Sequence, residues 1–149
     1  MSMRIYGTDK NCMIIEKSEL QKLIIENKKS IKKVLEETTN EYLKDISDRI
    51  ECENIDIEVI EVLSTNIPMS YLEYEFSGYL DSEDITDRIY FDNEVCLIID
   101  LRKNTLFDKY NNVNEIIDEF KEDFEEIGIN IDDEYVKKHF GYVNGYTYS

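Results

Sequence analysis

Five consecutive apolar residues, Val95-Cys96-Leu97-Ile98-Ile99, stand between Glu94 and Asp100. The run is far too short to cross a membrane as a helix, and its branched aliphatic content suits a strand. Successive strand residues point to opposite faces, so a run that is apolar at every position has both faces covered. Glu94–Leu101 is therefore expected to be the central strand of a sheet. The chain has 149 residues, the length of one domain. Area scaling gives roughly 26,000 Å² unfolded and roughly 8,000 Å² folded, so about two-thirds of the surface is available to build a core.

The periodicity around that strand sets the fold class. Met3–Tyr6 and Cys12–Glu16 flank Gly7-Thr8-Asp9-Lys10-Asn11, which reads as an N-terminal hairpin. Ser18-Glu19-Leu20-Gln21 opens a helix with a capping box. Leu20, Leu23, Ile24, Ile31, Val34, Leu35, Tyr42, Ile46 and Ile50 then follow helical spacing, with Thr38-Thr39-Asn40 dividing it into about 19–37 and 40–50, or else running as one long helix. Alternation of Ile55, Ile57 and Val59 with Asp56 and Glu58 predicts a strand over 55–62, its phase shift at Ile60–Val62 read as a bulge. Residues 70–81 form a second alternating run, with Leu72, Tyr74, Phe76 and Leu80 on one face and Tyr71, Glu73, Glu75, Tyr79 and Asp81 on the other. Asp92-Asn93, between Ile89-Tyr90-Phe91 and Glu94–Leu101, suits a tight hairpin loop.

After residue 111 the pattern is helical again. Asn112 caps a stripe of Ile116, Ile117, Phe120, Phe124 and Ile127 that stops at Gly128, and Asp132 opens a short helix over 132–140. The aromatic tail Tyr142–Tyr148 adds an edge strand or frays. With no repeat and no linker, the reading is a single α+β domain over 1–149: an antiparallel β-meander with an N-terminal hairpin and helices packed mainly on one face.

Composition narrows the function. Cys12, Cys52 and Cys96 are odd in number and widely spaced, and no CxxC is present, which fits a reduced, cytoplasmic protein. Met1–Asp9 holds no apolar stretch of signal-peptide length, and no segment reaches membrane-span length. The chain lacks Ala and has 21 Ile and 12 Asn, the usage of an AT-rich genome. Motifs for phosphate or dinucleotide cradles and for a nucleophile elbow are absent, and no cofactor is implied. His139, the sole histidine, sits at a helix end one turn from Tyr135, a place that the helix dipole favours for an imidazolium. Cys96 lies in the most apolar run and Cys52 in an acidic stretch, neither of which yields a thiolate. The segment Asp81–Asp87 carries four carboxylates but has Ile85 at its fifth position and no glycine, so it reads as a solvated loop and not as a calcium site. Lys28, Lys29, Lys32 and Lys33 pair at i, i+4 spacing as a solvated helix face.

The charge is what remains. Net charge is −17, and residues 51–100 hold fourteen acids against Arg88 alone. Direct binding of nucleic acid is disfavoured by that field. On the expected sheet the acids alternate with tyrosines: Asp56, Glu58 and Glu61 on strand 55–62; Tyr71, Glu73, Glu75, Tyr79 and Asp81 on strand 70–81; Glu83, Asp84 and Asp87 in the loop; Tyr90, Asp92 and Glu94 around the next turn. Same-face neighbours lie about 6.6 Å apart along a strand and strands about 4.8 Å apart, so such a sheet displays a grid of carboxylates. Like charges on neighbouring strands are destabilising, and binding to a basic partner is a reason for retaining them. Carboxylates steer association and tyrosines supply contact area.

In this general type the chain is similar to the short acidic nucleic-acid mimics with which phages and mobile elements counter CRISPR or restriction systems. It is also similar to immunity proteins that neutralise basic nuclease toxins. The resemblance implies a non-enzymatic inhibitor or decoy. It would cover the basic nucleic-acid-binding surface of a nuclease or defence effector, with no membrane involved. A small enzyme and an acidic domain of other role are the alternatives.

Overall fold

The computed structural model describes residues 5–37, 45, 46, 49, 50, 55, 57–82, 86–101 and 112–148. Val95–Ile99 lies in a strand flanked by cover on both sides, as its composition requires. The described elements are β1 (Ile5–Glu16), α1 (Lys17–Glu26), α2 (Lys28–Glu36), α3 (Ile57–Ser64), β2 (Ser70–Ser82), β3 (Ile89–Asp100), α4 (Val113–Glu125), α5 (Asp133–His139) and β4 (Phe140–Tyr148). This is an α+β fold with an antiparallel sheet. β1 pairs with β3, β3 with β2, β2 with β4 and β4 with β1, so the four strands close into a small barrel.

Two apolar clusters sit on the two faces of the barrel wall. Cys12, Ile14, Phe76, Leu80, Phe91, Cys96, Ile98 and Val143 fill the interior. Met13, Ile15, Leu97, Ile99 and Phe140 pack on the helical side, against Leu20, Ile24, Ile60, Phe120, Phe124 and Val136 among others. Even-numbered residues at the ends of β1 (Cys12, Ile14) and β3 (Cys96, Ile98) thus face inward, and the odd-numbered Met13, Ile15, Leu97 and Ile99 face the helices. Among the described residues, the helices cover one side of the barrel only.

Four elements differ from the sequence reading, the C-terminal tail last among them. Residues 57–64 are helical, not a strand. The phase shift at Ile60–Val62 was the helical period itself: Val59, Ile60, Val62 and Leu63 are all buried, and Glu58 lies on the exposed side. No N-terminal hairpin forms. Residues 5–16 run as one strand, because Ile5–Met13 finds its partner in Phe140–Tyr148, at the other end of the chain. Likewise Asp92-Asn93 is not a hairpin loop but a bulge within β3, with Asn93 at φ 51°.

That bulge has a counterpart. From Cys96 to Glu94 on β3, β2 advances from Glu73 to Phe76; from Glu94 to Phe91, β2 advances only from Phe76 to Gly78. Each strand therefore carries one extra residue, and the parity of both reverses at the bulges. The tail, expected as an edge strand or a frayed end, instead closes the barrel. Closure brings β2 and β4 into close approach at Gly78 and Gly145, which face each other in register. A Cβ at Gly145 would lie 2.5 Å from the Phe76 ring and from the Ser77 carbonyl oxygen. Gly128 stops the helical region after α4 with φ 87°, at the position read from the sequence. The N-caps of α4 and α5 form as read: Asn112 accepts from the Glu115 N–H and Asp132 from the Tyr135 N–H.

Candidate functional site

The side of the barrel away from the helices is built from three cross-strand rows. Register sets Asn11, Tyr142 and Asp81 in one row, Asp9, Asn144, Tyr79 and Tyr90 in the next, and Gly7, Tyr146 and Ser77 in the third. The rings touch across the strands: Tyr79 lies 6.4 Å from Tyr90 and 6.4 Å from Tyr142, centroid to centroid. Tyr90 is 71% exposed and Tyr146 41%, the former the most exposed large hydrophobic side chain described. A tyrosine plate therefore faces solvent.

Carboxylates and amides edge this plate. The Tyr142 hydroxyl donates to Asp9, and Asn144 donates to the Tyr142 oxygen over 3.3 Å. The Asp9 carboxylate raises the Tyr142 hydroxyl above its ordinary range by accepting its proton in a hydrogen bond. Arg88 stacks 4.2 Å above the Tyr79 ring and donates from Nε to Asp81 over 2.9 Å. Asp87 and Asp92 are exposed nearby in sequence, and the Asn93 N–H donates to the Ser77 hydroxyl over 2.9 Å, pinning the bulge.

The fourteen residues expected to form one acidic grid are divided. Tyr79, Asp81 and Tyr90 meet on the tyrosine plate, with Asp87 and Asp92 exposed beside its strands and Glu75 exposed at the β2 bulge. Tyr71 and Glu73 precede that bulge and turn toward the barrel interior: Tyr71 packs on the inner cluster, and Glu73 pairs in register with the inward-facing Cys96, where burial raises its carboxyl above the usual range. Glu58 and Glu61 sit on α3, where Glu58 pairs with Arg49 at 3.0 Å and Glu61 accepts from the Tyr74 hydroxyl. Glu94 is half-buried near Glu16 and Asp92, and burial followed by those two charges raises its carboxyl above the usual range. Asp56, Glu83 and Asp84 lie outside the described residues, as does Cys52. The reading from sequence missed Asp9, Asn11, Tyr142, Asn144 and Tyr146. Their signal was present in the alternation of Tyr142, Asn144 and Tyr146 about the buried Val143.

Lys10 and His139 are each engaged with a carboxylate. Lys10 pairs with Asp100 at 2.7 Å and lies 5.1 Å from the Tyr71 ring centroid. Burial opposes the Lys10 ammonium, but its bonds to Asp100 and Tyr71 outweigh this and raise it. His139 Nδ1 lies 2.7 Å from the Tyr135 carbonyl oxygen, which only accepts, so Nδ1 carries a hydrogen; Nε2 meets the Glu19 carboxylate. Neither ring nitrogen offers a free lone pair to the small cavity of about 40 Å³ beside it, lined by Ile14, Leu80, Ile89 and Phe91 with Glu16 and Glu19. Burial pushes the Cys12 thiol up to about 12 and raises Cys96 further, so neither supplies a thiolate. Among the described residues no group of three or more His, Cys, Asp or Glu is placed to hold a metal ion. Among them also, no helix is long and apolar enough to cross a membrane.

Comparison with protein-family models, with curated proteins and with solved structures finds no match to this chain.

Proposed function

We propose that this protein acts by binding and that the bare side of its barrel covers a basic, nucleic-acid-binding surface of a partner protein. A nuclease or a defence effector is the class of partner that fits. One observation supports this above the others: interlocked, solvent-facing tyrosines with Asp9 and Asp81 at their edge, and with exposed Asp87 and Asp92 close to them in sequence, on a chain of net charge −17. Exposed aromatic clusters of this kind need a reason beyond solubility, and tyrosine is the side chain that anchors protein interfaces. The surrounding acids select a basic partner and speed its approach. Four strands at about 4.8 Å and three rows at about 6.6 Å give a plate about 14 Å across. That is the size of an anchor region inside a standard interface of about 800 Å² per partner.

The reading is tested by immobilising the protein at low salt with an extract of its native host. A retained basic protein is then challenged with rising salt and with duplex DNA or RNA. Release by about 0.5 M salt, where exposed charges are screened within a few ångströms, is expected, as is displacement by nucleic acid. Tyr90→Ala and Asp81→Lys are expected to weaken capture at least tenfold, an anchor-sized effect. Glu122→Lys and Glu126→Lys, exposed on the helical side, are expected to leave it within about twofold. Retention unchanged at high salt, or equal effects of the two variant pairs, overturns the proposal. An immunity protein would use the same face but block a catalytic cleft; its partner would resist displacement by nucleic acid.

A further inference from the structure

Arg88 occupies a site made of Tyr79, Tyr90 and Asp81. Its guanidinium carbon lies 4.2 Å from the Tyr79 ring centroid, its Nε donates to Asp81 over 2.9 Å, and the Tyr79 ring in turn packs against that of Tyr90 at 6.4 Å. The three partners come from both strands of the β2–β3 hairpin, where Leu80 pairs with Ile89 and Tyr79 with Tyr90. Continuing that register sets Asp81 across from Arg88. The arginine is thus a tethered cation in a cradle that is half open to water, with its side chain 49% and that of Asp81 42% exposed.

We infer that this cradle is an arginine-selective subsite of the binding face, and that Arg88 holds it in the free protein until an arginine of the partner takes its place. The inference rests on the proposed binding of a basic surface and names the side chain that the face reads. The chemistry is specific. A guanidinium is planar and weakly hydrated, stacks on an aromatic ring and still donates in its own plane to a carboxylate. An ammonium is a compact, strongly hydrated charge that cannot do both at once. The tether matters equally. A cross-strand neighbour competes with any incoming arginine at high effective concentration, yet an exposed ion pair and an exposed cation–π contact are each weak. Arg88 therefore lowers the affinity of the subsite without closing it.

The test titrates the full-length protein at low salt with an oligo-arginine peptide and, separately, an oligo-lysine peptide of equal length. In the unaltered protein, oligo-arginine is expected to bind more tightly and to shift the Arg88 Nε–H resonance as the bond to Asp81 is lost; oligo-lysine should leave that resonance in place. Arg88→Ala is expected to tighten oligo-arginine binding by about three- to tenfold, the size of the contacts released. It should change oligo-lysine binding far less. Tyr79→Leu should abolish the preference for arginine. Equal tightening of both peptides by Arg88→Ala reduces Arg88 to a repelling charge and overturns the subsite. So does weaker oligo-arginine binding in that variant. Equal affinity of the two peptides for the unaltered protein removes the arginine preference while leaving the basic-partner reading standing. Failure of both peptides to bind overturns the two together. The resonance of the unaltered protein keeps the test decisive if Tyr79→Leu fails to fold.

Discussion

The Glu19 carboxylate, hydrogen-bonded to His139, is held below its ordinary value of 4.5. A carboxyl lowered in the folded state contributes stability that is full above its unfolded value and is lost as pH falls through the folded one. The Glu19 side chain is 44% exposed, so solvent screens the pair and its contribution is about 0.5 kcal/mol. Glu19→Gln is therefore expected to lower Tm by about 1–2 °C at neutral pH and to flatten the decline of Tm below pH 4.5. Thermal unfolding followed across the acid range measures both; a variant with the same acid limb as the parent would show that the pair carries no linkage. His139 was legible as the side chain ending α5, but its carboxylate partner 120 residues earlier was not. Tyr71 and Glu73 show the same limit from the other side. Their residue types were read correctly, and their direction depended on a bulge three residues away.

Among the elements, the paired bulges of β2 and β3 do most to shape the candidate site. Before them Tyr71 and Glu73 face inward; after them Phe76 and Leu80 do, and Tyr79 and Asp81 turn to solvent. Asn93 carries the β3 bulge in the left-handed region, at φ 51°. That conformation is tolerated by Asn and Gly and costs a β-branched residue about 1–2 kcal/mol. Asn93→Gly is expected to be neutral within about 0.5 kcal/mol and Asn93→Val to destabilise by about 1–2 kcal/mol in urea unfolding. Equal midpoints for the two would show that the backbone there relaxes without strain. Helix α3 teaches a related lesson. Ile55, Ile57 and Val59 around its start alternate with acids like a strand, and only the burial of Val59, Ile60, Val62 and Leu63 together reveals the longer period.

For the whole molecule, closure depends on β4 lying against β1 and β2 at once. Gly78 and Gly145 permit that approach because neither carries a side chain where the two backbones meet. Gly145→Ala would set a methyl group against the Phe76 ring and the Ser77 carbonyl, overpacking that is expected to cost about 1–3 kcal/mol. Urea unfolding checks it, and a midpoint equal to that of the parent would mean that β4 is not held tightly there. The same closure creates the proposed binding face. It brings Asp9 to the Tyr142 hydroxyl and Tyr142 to Tyr79, joining three strands into one plate.

The order of apolar and polar residues determined the α+β class, the strand runs 70–81 and 94–101, and the helices that became α4 and α5. It also determined that acid is concentrated between residues 51 and 100. These are local properties: side-chain period, cap chemistry and charge act over a few residues and do not depend on where the rest of the chain goes. Tertiary structure decided that residues 5–13 pair with 140–148, that two bulges reverse the faces of β2 and β3, and that the helices cover one side of the barrel and leave the tyrosines bare. Those outcomes turn on contacts between distant segments, and a strand's pattern of alternation is the same whichever partner it finds.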